Sequence, residues 1–222
     1  MFFVHHRIEA APRTWAALAR QLAKTDLGGG TLYGVWRSQI GRPRDELQAM
    51  TLWPHETRAA AAENALLGNA TDARRVHSQA LVPTLRPTDA VAPTRQGNYA
   101  FRWFATPDPH WPEFLDLCTA AWPGFESAYD SQVIGLWQAT GDRTGSDRDE
   151  ATGAGIQSGV RSLLMTRRPN LAMWERSKLP SGAAESEVRD KLSRRYDLCD
   201  WTVVSTSTLL TAADTQDTAR WT

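Results

Sequence analysis

A chain of 222 residues with 41% hydrophobic and 23% charged side chains has the composition of a soluble globular protein with a real core, which excludes disorder over most of its length. Lys plus Arg and Asp plus Glu each number 25, so no net field draws the chain to nucleic acid or to an anionic membrane. No stretch approaches a membrane span, and Met1-Phe2-Phe3-Val4-His5-His6-Arg7 is not a secretion signal. A cytoplasmic location is therefore expected, with Asn69-Ala70-Thr71 out of reach of glycosylation and Cys118 and Cys199 as buried free thiols.

Phe2 to Ala10 reads as a strand, and Pro12 is placed to open the helix that follows, with Trp15, Leu18, Ala19 and Leu22 on one face before Gly28-Gly29-Gly30. Leu32 to Gln39 and Leu47 to Trp53 read as two strands joined by the turn Gly41-Arg42-Pro43-Arg44-Asp45. Glu56 to Leu67 is an alanine-rich helix ended by Gly68-Asn69, and Val76 to Leu85 is a fourth strand. After a proline-rich linker the order returns. It runs as strand Asn98 to Ala105, helix Trp111 to Trp122, strands Val133 to Ala139 and Val160 to Arg167, helical material from Asn170 to Tyr196, and strand Trp201 to Leu210.

The two halves also share short motifs. The run from Arg7 to Pro12 returns as Arg102 to Pro107, and Gly34-Val35-Trp36 returns as Gly135-Leu136-Trp137, which makes a tandem repeat the expected organisation. The expected domains are 1–88, a linker 89–97, a diverged second repeat 98–212 with an insertion at 141–159, and a tail 213–222. Each half is βαββαβ, so the expected fold class is α+β, with two ferredoxin-like repeats whose antiparallel sheets pack into one intramolecular barrel. The product is a monomer with a pseudo-dimeric barrel, or a homo-oligomer of such barrels. Along the second strand Gly34, Trp36 and Ser38 share one face and Val35, Arg37 and Gln39 the other; the sequence leaves open which face points inward.

Gly34-Val35-Trp36-Arg37-Ser38-Gln39-Ile40-Gly41, Asp45-Glu46-Leu47, Leu52-Trp53 and Arg58-Ala59-Ala60-Ala61 stand in an order and spacing that resembles the NIPSNAP family of the dimeric α/β-barrel superfamily, over residues 2 to 87. Arg7 and Leu81-Val82-Pro83 also fit that pattern. The second half departs from it, because Thr166-Arg167-Arg168 stands where the pattern has Leu-Trp. The resemblance implies a pseudo-symmetric barrel with one diverged half and carries little function with it. The superfamily includes oxygenases, haem enzymes, isomerases and proteins without known catalysis, and fold analogy does not choose among them.

His5 and His6 lie on one strand and point to opposite faces, so at most one serves a pocket, as general base or haem ligand. Arg7 and Arg102, aligned by their motif, are candidates to hold a carboxylate or phosphate. Trp36, Trp53, Trp103 and Trp137 are candidate walls for a hydrophobic or aromatic ligand. No metal motif is present, no cofactor is predicted, and haem is kept as an alternative. The Gly-rich excursion 141–159 is either a lid or a plain hairpin, and its Gly153-Ala154-Gly155 run lacks the spacing of a dinucleotide loop. Two functions follow: a cofactor-independent, oxygenase-like enzyme on a hydrophobic or aromatic compound, or a non-catalytic interaction or stress-related protein whose barrel is filled by its own side chains.

Overall fold

The computed structural model describes residues 1–68, 70–144 and 159–214. The elements are β1 (Phe2–Ala10), α1 (Trp15–Leu22), β2 (Thr31–Ile40), β3 (Glu46–Trp53), α2 (Ala59–Leu67), β4 (Ala73–Arg86), β5 (Asn98–Thr106), α3 (Trp111–Ala128), β6 (Gln132–Arg143), β7 (Val160–Arg168), α4 (Leu171–Arg176), α5 (Ala183–Asp197) and β8 (Trp201–Leu209). Lid chemistry in 145–158 and the tail beyond 214 fall outside the described residues, as does Asn69.

The eight strands close into one antiparallel barrel in the order β1-β3-β2-β8-β5-β7-β6-β4. Each half contributes four neighbours, β4-β1-β3-β2 and β8-β5-β7-β6, and the halves meet along two seams, β2 with β8 and β4 with β6. Closure removes the exposed sheet edges that each half would present alone. Alternation then sorts the side chains into two environments. Phe3, Trp36, Met50, Tyr99, Phe101, Trp103, Trp137, Leu163 and Met165 cluster inside the barrel. Val4, Ile8, Val35, Leu47 and Trp53 pack outward against α1 and α2, while Phe104, Leu136 and Leu164 pack against α3 and α5. The parity that includes Trp36 is therefore the inward one.

The halves share backbone detail. Gly34 lies opposite Met50, and Gly135 opposite Met165, each just after a register shift in its strand. At both glycines an added Cβ would collide with the indole two residues on, Trp36 or Trp137, so the ring lies flat on the backbone where only glycine leaves room.

Three readings of the sequence are corrected in detail. Helix α3 continues through Pro123 to Ala128, because Phe125 and Tyr129 bury their rings beyond it. That burial, roughly 1.5–3 kcal/mol for each large apolar side chain, offsets a proline cost of about 3 kcal/mol. The helix expected from Glu56 starts at Ala59. The alignment of Arg7 with Arg102 is one residue out. Phe2 lies opposite Trp53 and Asn98 opposite Arg168, so Arg102 takes the place of His6, and Arg7 and Arg102 point to opposite sides of the barrel wall.

Candidate functional site

The barrel lumen is aromatic at its centre and polar at one end. Phe3, Trp36, Tyr99, Phe101 and Trp137 are fully buried and meet edge to face, with Trp36 at 5.3 Å from Phe101 and Phe3 at 5.4 Å from Trp137. His5 lies beyond them, 5.6 Å from Phe101 and 5.9 Å from Trp103. Gln48 Nε2 donates to Ser207 Oγ at 2.9 Å, so its Oε1 accepts from His5 Nε2 at 2.9 Å and the Nδ1 lone pair of His5 is left as a base. Burial lowers this imidazole to about 3, against the Gln48 hydrogen bond and with help from Arg7 and Arg42, so it is neutral at pH 7. Arg7 meets Glu46 through a fork of two 3.3 Å bonds, and Arg42 lies 3.8 Å from the same carboxylate. Arg7 is thus an ion-pair partner at the polar end of the lumen.

His6 faces the helices of the first half, where both ring nitrogens are engaged. Ser78 Oγ donates to Glu63 Oε2 at 2.6 Å and accepts from His6 Nδ1 at 2.8 Å. Thr51 Oγ1 donates to His6 Nε2 at 3.1 Å and accepts from Trp53 Nε1 at 3.0 Å. This chain joins β1, β3, β4 and α2, and burial, reinforced by His5, lowers His6 to about 3. Trp53 closes the same helix–sheet layer, so the space between sheet and helices is filled in this half.

In the second half the equivalent space is open. A cavity of about 50 Å³ lies between the outer face of β5, β6 and β7 and helices α3, α4 and α5. Its walls include Trp122, Phe125, Trp174, Arg102, Arg168 and Arg195, with Tyr196 beside them. Arg168 stands where the first half has Trp53, and Arg102 where it has His6. The Arg195 guanidinium, 2% exposed, lies 5.0 Å over Phe104 and 5.1 Å over Tyr196, with Cys118 Sγ as a weak 3.6 Å acceptor. Arg168, 8% exposed, lies 4.9 Å over Phe125 and donates to Thr166 Oγ1 at 3.1 Å. Burial pushes Arg168 down to about 10, and burial also lowers Arg102. Burial pushes the Tyr196 phenol up, but Arg195, Arg102 and Arg168 outweigh it and leave the phenol below its usual value.

The structure thus divides the residues singled out from sequence among three places. His5, Trp36, Trp103, Trp137 and Arg7 line the lumen, His6 and Trp53 belong to the helix side of the first half, and Arg102 lies in the cleft of the second. Sequence reasoning missed Trp122, Arg168, Trp174, Arg195 and Tyr196. The available signal was the replacement of Leu-Trp by Arg167-Arg168, together with an arginine on the apolar stripe Val188, Leu192, Arg195, Tyr196 of α5. Larger grooves of about 450 Å³ and 490 Å³ lie along the linker at Arg86–Arg95 and beside Phe2, Glu56 and Arg58, on more open surface. Among the described residues no three His, Cys, Asp or Glu side chains converge as a metal site would require, and no helix is long and apolar enough to cross a membrane.

No family model matches the chain, and no curated protein matches it. Solved structures do match in shape. An anthrone oxidase-like protein superposes with a TM-score of 0.61 at 10% identity, covering 94% of this chain and 91% of its own. A candidate monooxygenase of Fusobacterium nucleatum subsp. nucleatum gives 0.54 at 8% identity, covering 94% and 92%. A candidate chlorite dismutase gives 0.54 at 10% identity, covering 94% of each chain. At such identities the likeness is one of fold: the chain has a ferredoxin-like α+β barrel architecture, closed within a single polypeptide.

Proposed function

We propose that this protein binds a small hydrophobic or aromatic molecule in the cleft between the second-half sheet and helices α3 to α5. One observation carries the reading: the layer that Trp53 and its neighbours fill in the first half is open in the second, lined by aromatic rings and by polar groups that converge on the opening. The side-chain-filled alternative then applies to the lumen, where Trp36 and Trp137 occupy the centre, and it does not compete with a ligand outside the barrel wall. The tandem-repeat reading is supported by the shared Gly-x-Trp geometry of the two halves.

Two of the matched folds are described as oxidase-like or monooxygenase proteins, which makes oxygenase-like chemistry the reaction to test first. In this cleft Tyr196 is the acid–base group, since its phenol faces cations that favour the phenolate. His5, the acid–base candidate of the lumen, is held neutral by burial and is a weak base there. Haem does not fit the cleft, because of the usual axial ligands only a tyrosine is among its walls.

Native mass spectrometry on gently purified protein, with and without denaturation, tests the reading. The expected result is a bound small molecule that leaves on denaturation and is absent from Ala100→Phe, which fills the cleft floor. A ligand retained by Ala100→Phe, with the fold intact by circular dichroism, would place binding elsewhere. Dioxygen uptake on adding the released compound, lost in Tyr196→Phe, is the expected sign of oxygenase chemistry.

A further inference from the structure

Resting on the cleft assigned above, we propose that its ligand carries an oxyanion, a carboxylate or a phosphate, and that Arg102, Arg168 and Arg195 are the residues that bind it.

Three cations here share one small space with no carboxylate, and the Tyr196 phenol is the acidic group they have in common. None of the ion pairs among the described residues includes Arg102, Arg168 or Arg195, whereas Arg7, Arg86, Arg176 and Arg194 each have a carboxylate partner. The acceptors they do have are hydroxyls and a thiol: Thr202 Oγ1 at 3.4 Å for Arg102, Thr166 Oγ1 at 3.1 Å for Arg168, and the Cys118 thiol and Tyr196 phenol for Arg195. A buried charge is costly unless paired, and removing it from water costs several kcal/mol even after relaxation. Three guanidinium groups this close also repel one another, as the mutual effects of Arg102 on Arg168 and of Arg195 on Arg102 record. An arrangement that is unfavourable in the empty protein becomes favourable when an anion enters.

The hydrogen-bonding inventory points the same way. The Nε–H groups of Arg168 and Arg195 and the indole Nε1–H of Trp122 are buried without an acceptor. All three residues line the cavity, and all three orphaned groups are donors. Buried donors are nearly always satisfied in native proteins, so a cluster of them around one cavity is the signature of a missing acceptor. A carboxylate or phosphate supplies several lone pairs and matches the planar guanidinium fork. The cavity, about 50 Å³, accommodates the oxyanion itself, and Trp122, Trp174 and Phe125 provide the apolar wall for the body of the ligand. The first half offers a contrast, for Trp53 stands where Arg168 stands and the His6 network there is closed on itself.

Isothermal titration of the full chain with benzoate, inorganic phosphate and benzyl alcohol tests the proposal, with Arg168→Met and Arg102→Gln as variants and Arg194→Gln, on the outer face of α5, as the control. Saturable binding of benzoate is expected, with benzyl alcohol at least tenfold weaker. Arg168→Met and Arg102→Gln are each expected to lose tenfold or more, and Arg194→Gln to lose nothing. Arg168→Met is also expected to melt at or above the parent temperature, since it removes an uncompensated buried charge; a merely structural arginine would lower it. Phosphate binding as tight as benzoate assigns the site to the oxyanion alone, and benzoate binding without phosphate assigns it to an aryl carboxylate; both support the proposal. Equal binding of benzoate and benzyl alcohol, abolished by Ala100→Phe and untouched by Arg168→Met, would overturn the anion and leave the cleft. Binding of none of the three probes by the wild type, or anion binding unchanged in both arginine variants, would overturn the proposal; retention of a co-purified ligand by Ala100→Phe would overturn the cleft itself.

Discussion

Gly135 shows how much of this fold rests on a missing atom. A Cβ there would meet the Trp137 indole and, at 2.8 Å, Pro87 Cδ, neither of which can retreat in a packed wall. Gly135→Ala is therefore expected to destabilise the protein by roughly 1–3 kcal/mol, the usual cost of overpacking, read as a lower urea midpoint at unchanged slope. His6 is a second residue whose role is set by its neighbours. With Ser78 and Thr51 on its two nitrogens it is a structural crosslink, and His6→Ala would leave buried partners unsatisfied. A loss of about 2–4 kcal/mol is expected. The sequence shows that His5 and His6 point apart, because strand alternation demands it. Which of them faces the lumen depends on where α1 and α2 pack, and the pattern of one strand does not contain that.

Among elements, the joint between α3, β4 and β6 separates a part-buried, multiply bonded contact from a decorative one. Glu126 Oε1 accepts from Arg86 Nη1 at 2.7 Å and from the Val133 backbone N–H at 2.8 Å, tying the helix end to two strands. Glu113, nearer the start of α3, pairs with Arg194 on α5 at 2.9 Å, but both side chains are about half exposed. Glu126→Ala is expected to cost about 1–3 kcal/mol, and Glu113→Ala less than about 0.5 kcal/mol; equal losses in chemical unfolding would refute the distinction. The elements themselves were legible because their apolar periods are strong, and Pro12, Gly41 and Gly68 mark their ends. The continuation of α3 past Pro123 was not legible, since the propensity of proline is local and the burial of Phe125 and Tyr129 is tertiary.

At the scale of the whole molecule, the two seams make each half the cover of the other. A separated segment of residues 1–88 would expose Phe3, Tyr33, Trp36 and Met50, so it is expected to aggregate or self-associate under light scattering. A stable monomer with cooperative melting would contradict mutual cover. Acid sensitivity also belongs to the whole barrel, because it comes from burying two histidines at once. Their folded values of about 3 lie below the unfolded value of 6.5, so the unfolded state binds more protons throughout that interval. The stability they contribute is complete above pH 6.5 and is lost as pH falls toward 3, with a slope of up to about 1.4 kcal/mol per pH unit for each histidine. Unfolding measured at pH 7 and pH 5 should show a smaller pH dependence for His5→Gln than for the parent; parallel profiles would mean that His5 is not held neutral.

The sequence by itself determined the order of elements and the division into two βαββαβ halves, because these follow from local periodicity and turn chemistry. It also marked the place where the halves differ, Arg167-Arg168 against Leu52-Trp53, without showing what the difference does. The tertiary structure decided which face of each strand is the lumen, moved Arg102 to the opposite side of the wall from Arg7, and brought Arg168 of β7 to Arg195 and Tyr196 of α5. The reason is physical. Strand alternation is a local property, whereas a cleft forms where distant segments fail to fill the same space, and that failure is visible only once the helices are laid on the sheet.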